Sequence, residues 1–317
     1  MSEEQVPTLD LAQYDSDRDG FVAALGEAYE RFGFCGVRNH GVADEIISDA
    51  YDAFHRFFAL PNEVKASYSV SGGGGARGYT GFGIETAKDS QHPDLKEFWQ
   101  VGRELADDHP HRDRMPPNRW PGEVADFEER GYRLYEALDD LGRRMLRAMA
   151  LYLGQDEVFF DDKVNEGNSI LRPIHYPPIE DTGTQSVRSG RHEDINLITL
   201  LIGAEGPGLE ILRRDRTWLP VTTIPGAIVC NIGDMMQRLT NHVFPSTTHR
   251  VVNPPGALAT QSRYSIPFFL HPNADFMIET LGTCISDDNP NRYPEPLGSH
   301  EYLQQRLIEI GLLPDDE

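Results

Sequence analysis

Residues 191–201, RHEDINLITLL, decide how the rest of the chain is read. The run from Ile195 onward is apolar and rich in β-branched residues, which predicts a strand. On a strand, residues i and i+2 share a face. His192 and Asp194 are then expected to project side by side, with Glu193 turned away. An imidazole and a carboxylate in that relation can fill adjacent positions around one metal ion. A third ligand is expected from a later strand, and His249, in STTHRVV (246–252), opens one 55 residues after Asp194. Two histidines and a carboxylate on one face leave positions open on an octahedral ion, the arrangement of non-haem Fe(II) oxygen chemistry. The chain lacks the thiolate set of a structural zinc site, and Asn196 stands where a helical HExxH motif would need its second histidine.

Working outward, short β-rich runs fill about 168–272: SILRPIHY, INLITLLI, GLEIL, WLPV, AIVCNIG, HRVVN and RYSIPFF. Pro, Gly and Asn separate them, and RRDRT (213–217) has the composition of a hairpin loop. Many short strands with turn signals between them predict an all-β sandwich or jelly roll. Helices are expected over 20–34, over about 43–59 ending near Pro61, and over 122–153, a long amphipathic helix with Gly154 placed to end it. VPTLDL near the start reads as a short strand, and SVSGGGGARGYTGFG (69–83) as a Gly-rich loop leading into a polar, Pro-rich region through about 121. A last helix, SHEYLQQRLIEIG, has Ser299 as its expected N-cap and Gly311 at its end. The fold class is therefore α+β with a mainly β core. Residues 1–120 form an N-terminal helical and strand region, and 121–317 the long helix, core and C-terminal helix, in one compact unit.

The bulk values fit a soluble enzyme-sized chain: 317 residues, 39% hydrophobic and 25% charged. No stretch reaches the roughly 20 apolar residues of a membrane helix. MSEEQVPTLD has no apolar signal core, and Cys35, Cys230 and Cys284 are scattered without CxxC spacing, which together point to the reducing cytoplasm. A net charge of −22 argues against nucleic acid as a partner. Two motifs fail on inspection. DSDRDG (15–20) opens like an EF-hand loop, but its twelfth position is Gly26 instead of a bidentate Glu. Gly73, Gly75 and Gly78 fit GxGxxG without the strand and helix which that fingerprint needs.

Downstream of His249, Arg263 and Ser265 share a face of the next expected strand. A guanidinium grips a carboxylate through two parallel hydrogen bonds and a hydroxyl can add a third, so this pair suits a carboxylate ligand. The ordered set His192-x-Asp194, PGAIVCNIGDMMQRLTN, FPSTTHRVVNPP and RYSIPFFL resembles the isopenicillin N synthase-like family of 2-oxoglutarate/Fe(II)-dependent dioxygenases. PTLDL, ERFGFCGVRNHGV, RGYTGFGIE and LKEFWQVG extend the resemblance over nearly the whole chain. It implies a distorted double-stranded β-helix with flanking helices. It implies Fe(II) on His192, Asp194 and His249, and the distal carboxylate of 2-oxoglutarate on Arg263 and Ser265. Tyr176, in IHYP, matches a tyrosine that reaches co-substrate or substrate in relatives, although a core tyrosine on a strand is an equal alternative.

The implied reaction couples O2-dependent decarboxylation of 2-oxoglutarate to succinate and CO2 with hydroxylation, desaturation or cyclisation of a small molecule, with ascorbate as a stimulant. Two alternatives stay open from sequence: a 2-oxoglutarate-independent Fe(II) oxidase of the same fold, and a non-enzymatic small-molecule binding protein. Neither the substrate nor the oligomeric state is encoded in a motif. Arg77, Tyr79, Phe98 and Arg172 are candidate pocket residues, and arginines among them suit an anionic or amino-acid-like substrate.

Overall fold

The computed structural model describes residues 5–70, 76–87, 90–180, 183–203, 207–222 and 225–309. Among them, two sheets face each other. The larger has nine strands, in the order Thr8–Asp10, Phe34–Arg38, Ile228–Ile232, Ile198–Ile202, Arg263–Leu270, Ile170–Leu171, Glu97–Gly102 and Gly78–Thr80. Ile174–Tyr176 bridges Arg263–Leu270 and Glu97–Gly102. The smaller sheet runs Trp218–Pro220, Leu209–Leu212, His249–Val251 and Ser189–His192, all antiparallel. This is the expected double-stranded β-helix with flanking helices, and a cavity lies between its sheets.

The helices cover the outer face of the larger sheet. Arg18–Phe32, Asp44–Phe58 and Phe127–Tyr152 match the periodic stretches of the sequence within a few residues at each end. Gly154, at φ +70°, ends the long helix in the left-handed region, where a side chain would be strained. Gly142, inside the same helix, serves close packing: a Cβ there would meet Leu270 Cδ1 at 2.3 Å. Phe57 of Asp44–Phe58 and Phe127 of the long helix both pack on Trp99 of the sheet, with ring centroids 4.7 and 5.2 Å from it. The Asp17 side chain accepts from the Gly20 N–H and caps Arg18–Phe32, which absorbs the calcium-like DSDRDG. RRDRT joins two paired strands, and Arg213 and Thr217 close the turn.

Several local expectations need correction. The strand predicted from Ile195 begins at Ile198, because residues 193–197 form the connection between Ser189–His192 and Ile198–Ile202. The region read as polar and Pro-rich contains the strand Glu97–Gly102, buried at every position, so it shows no alternation to recognise. The Gly-rich stretch ends in the strand Gly78–Thr80, while Gly73 and Gly75 lie outside the described residues. Ser299 opens the helix Ser299–Glu309, but its hydroxyl donates to the Asn273 carbonyl instead of capping; Gly311 lies outside the described residues. The scattered cysteines are not all remote from each other: Cys35 and Cys230 are cross-strand partners, both buried and free. No helix among the described residues is long and apolar enough to cross a membrane.

Candidate active site

The smaller sheet brings two of the three predicted ligands together by register. His192 ends one strand, His249 begins the next, and they are direct cross-strand partners with ring centroids 4.3 Å apart. Asp194 is not on the strand with His192, as the i, i+2 argument requires. It sits in the connection that follows, and its Oδ1 lies 3.8 Å from His192 Nε2 and 3.8 Å from His249 Nε2. The turn holding it is fixed by Asn196, whose amide donates to the Ile198 carbonyl and to Thr199 Oγ1.

Each ligand candidate has its spare atom tied down. His192 Nδ1 donates to the Gly190 carbonyl at 2.7 Å, and His249 Nδ1 to the Thr247 carbonyl at 3.2 Å. A ring nitrogen facing a carbonyl must carry the proton, which leaves each Nε2 as a lone-pair donor turned toward its neighbour. Asp194 Oδ2 accepts from Thr199 Oγ1 at 2.6 Å and Asn231 Nδ2 at 2.8 Å, leaving Oδ1 for the imidazoles. Burial alone would raise the Asp194 carboxyl, but His249, His192 and these two hydrogen bonds hold it below the usual range. Burial and His249 push the His192 imidazolium down, so its ring is neutral and ready to ligate. The three ligand atoms lie within 4.8 Å of one another. Two imidazoles and a carboxylate whose ligand atoms converge fit a divalent cation such as Fe(II).

Behind this group the cavity, about 470 Å³, carries the predicted anion pair. Arg263 and Ser265 are 5% and 3% exposed and both line it. Arg263 Nε and Nη1 are buried without a hydrogen-bond partner among the described residues, an arrangement that calls for an anion. Tyr176 is the cross-strand partner of Arg263, and the guanidinium lies 5.0 Å from its ring centre. Burial and the nearby Arg263 pull the Arg188 guanidinium down. A ligand bearing a carboxylate fits there.

Of the four pocket candidates, only Arg172 lines the cavity. Arg77 is buried against Gly102 and bonds Ala76 and Asn168; burial lowers it to about 10. The Tyr79 hydroxyl donates to Glu97, within a buried network with Lys65 and His175. Phe98 packs with Ile174 and Tyr176. Thr199, Asn231 and Lys96 were missed by sequence reasoning. Thr199 and Asn231 are cross-strand partners, so both reach one carboxylate. Asn231 stands in the quoted phrase VCNIGD, which was the available signal.

The chain matches two family descriptions, "non-haem dioxygenase in morphine synthesis N-terminal" over residues 6–123 and "2OG-Fe(II) oxygenase superfamily" over residues 167–272. It is 34% identical to a 2-oxoglutarate-Fe(II) type oxidoreductase of Emericella nidulans, covering 91% of this chain and 85% of that one. A solved 2OG-Fe(II) oxygenase family protein from Caulobacter crescentus is 48% identical, with a TM-score of 0.89 over 96% of this chain and 98% of that one. A full-length Neurospora crassa protein solved with alpha-ketoglutarate is 27% identical, with a TM-score of 0.86 over 97% of both chains. Fold, sequence and site chemistry agree, and the chain belongs to the isopenicillin N synthase-like 2-oxoglutarate/Fe(II)-dependent dioxygenases.

Proposed function

We propose that His192 Nε2, His249 Nε2 and Asp194 Oδ1 hold the Fe(II), and that Arg263 and Ser265 hold the distal carboxylate of 2-oxoglutarate. One observation carries this reading: three convergent ligand atoms stand at a cavity whose floor holds the unpartnered nitrogens of Arg263. With O2, bound iron and 2-oxoglutarate supply the oxidising power, releasing succinate and CO2 and oxidising a C–H bond of a small molecule.

The chain's own residues do the positioning. Thr199 and Asn231 keep Asp194 Oδ2 occupied, so that one oxygen faces the metal. Arg263 fixes the co-substrate's reach, and Tyr176 bounds it on one side. Leu209, Leu212 and Val251 are apolar parts of the cavity wall and help to exclude water. Hydroxylation is the expected outcome, with desaturation or cyclisation as variants, and ascorbate is expected to sustain turnover. The buried free thiols and the net charge of −22 favour a cytoplasmic protein acting on a metabolite. Relatives act on dissimilar molecules: the Neurospora crassa protein was also solved with thymine, and a 29% identical Arabidopsis thaliana relative is a homoarginine-6-hydroxylase.

Calorimetry without O2 tests the assignment. Wild-type protein should bind Fe(II), and then 2-oxoglutarate. Asp194→Ala should lose the first step, and Arg263→Gln the second alone. Unchanged Fe(II) binding in Asp194→Ala would sink the ligand assignment.

A further inference from the structure

The strand Arg263–Leu270 points alternate residues into the cavity, and the row Ser265, Pro267, Phe269 and then His271 leads away from Arg263. At its far end are polar groups for which metal and co-substrate give no use. Gln100, Asn168 and His271 line the cavity, and the side-chain hydrogen bonds of the two amides run through their oxygens. Both amides are oriented by an arginine. Arg172 Nε and Nη2 donate to Gln100 Oε1 at 3.2 and 3.1 Å, and Arg77 Nη2 donates to Asn168 Oδ1 at 3.3 Å. A guanidinium only donates, so each amide presents its oxygen to the arginine and keeps its NH2 free. Gln100 is 3% exposed and His271 8%, and burial pushes the imidazole down to about 4, so it is neutral near pH 7. A ligand with carbonyl oxygens can accept from the two amide NH2 groups.

The charges here are already matched. Lys96 Nζ is held by Glu85 at 2.8 Å, Asp94 at 2.9 Å and Ser189 at 3.2 Å. Arg172 has Gln100 on two of its nitrogens and Glu85 3.5 Å from a third. Two cations therefore face two carboxylates. An anionic substrate would have to break one of these pairs, and a cationic one would compete with Lys96 and Arg172 for Glu85, whose Oε2 accepts no hydrogen bond among the described residues. A count of arginines suggests an anion, but their pairing points the other way.

We infer that this end of the cavity is the substrate subsite and takes an uncharged, compact carbonyl compound, of the cyclic amide or imide class. Its carbonyl oxygens accept from the Gln100 and Asn168 amides, and its flat face lies on Phe269 and Ile170. The inference rests on the iron and 2-oxoglutarate reading above.

Matched probes test it by anaerobic calorimetry on the full chain, after Fe(II) and 2-oxoglutarate binding have been measured in the same cell. Uracil is compared with its carboxylate orotate, and benzamide with benzoate. The neutral member of each pair should bind at least about tenfold more tightly. Gln100→Glu and Asn168→Asp keep the arginine-facing oxygen and remove the donor. Each should weaken the neutral probes about five- to tenfold while 2-oxoglutarate affinity holds, which also reports an intact fold. Tighter binding of the carboxylates, or binding of no probe, overturns the inference. Failure of Fe(II) or 2-oxoglutarate to bind instead overturns the reading beneath it.

Discussion

Arg263 and Arg172 belong to the same cavity and differ in what occupies their nitrogens. Both rest on aromatic rings: Arg263 lies 5.0 Å from Tyr176, while Arg172 lies 4.5 Å from Phe98 and 5.0 Å from Phe269. The Arg172 donors are spent on Gln100 and its charge on Glu85. Arg263 keeps two buried nitrogens without a partner among the described residues. An arginine in a pocket is thus not yet an anion site. Only one whose donors the protein leaves unfilled, at the expense of a buried unsatisfied group, is built to receive a carboxylate.

The largest expected effect breaks the first half of that contrast. Arg263→Gln removes a buried charge partner worth about 2–5 kcal/mol, so 2-oxoglutarate affinity should fall roughly 30- to 4,000-fold. Arg172→Gln should leave that affinity unchanged, and equal losses in the two variants would erase the distinction. Next in size are the residues that aim Asp194. Thr199→Val or Asn231→Leu frees Asp194 Oδ2, and Fe(II) affinity measured by competition should drop about 10- to 100-fold. The smallest effect concerns stability at the Arg172 end. Burial alone would raise the Glu85 carboxyl, but Lys96 and Arg172 bring it to about 2 from its ordinary 4.5. A depressed carboxyl stabilises the fold above the unfolded value and loses that contribution as pH falls toward the folded one. The wild type should therefore lose stability between about pH 4.5 and about pH 2, and Glu85→Gln should flatten that part of the acid limb in a denaturation series.

Sequence made some of this legible and hid the rest for physical reasons. Helical periodicity marked Arg18–Phe32, Asp44–Phe58 and Phe127–Tyr152, because each has one buried face. Glu97–Gly102 is buried on both faces and carries no period to detect. The convergence of His192 with Asp194 was anticipated, but from a strand geometry that Asp194 does not have; the Asn196-braced turn brings it in. The roles of Thr199 and Asn231 depend on the register of Ile198–Ile202 against Ile228–Ile232, which no local pattern reports. Arg77 and Tyr79 look like pocket residues in the sequence, but their side chains bond Ala76, Asn168 and Glu97 and do not line the cavity.

The most direct measurement follows O2 and succinate together as Fe(II)-loaded protein turns over 2-oxoglutarate with ascorbate present. The site described here predicts succinate and O2 consumption in equal amounts, with both abolished in His192→Ala. Oxygen consumed without succinate, or turnover unchanged in His192→Ala, would contradict it.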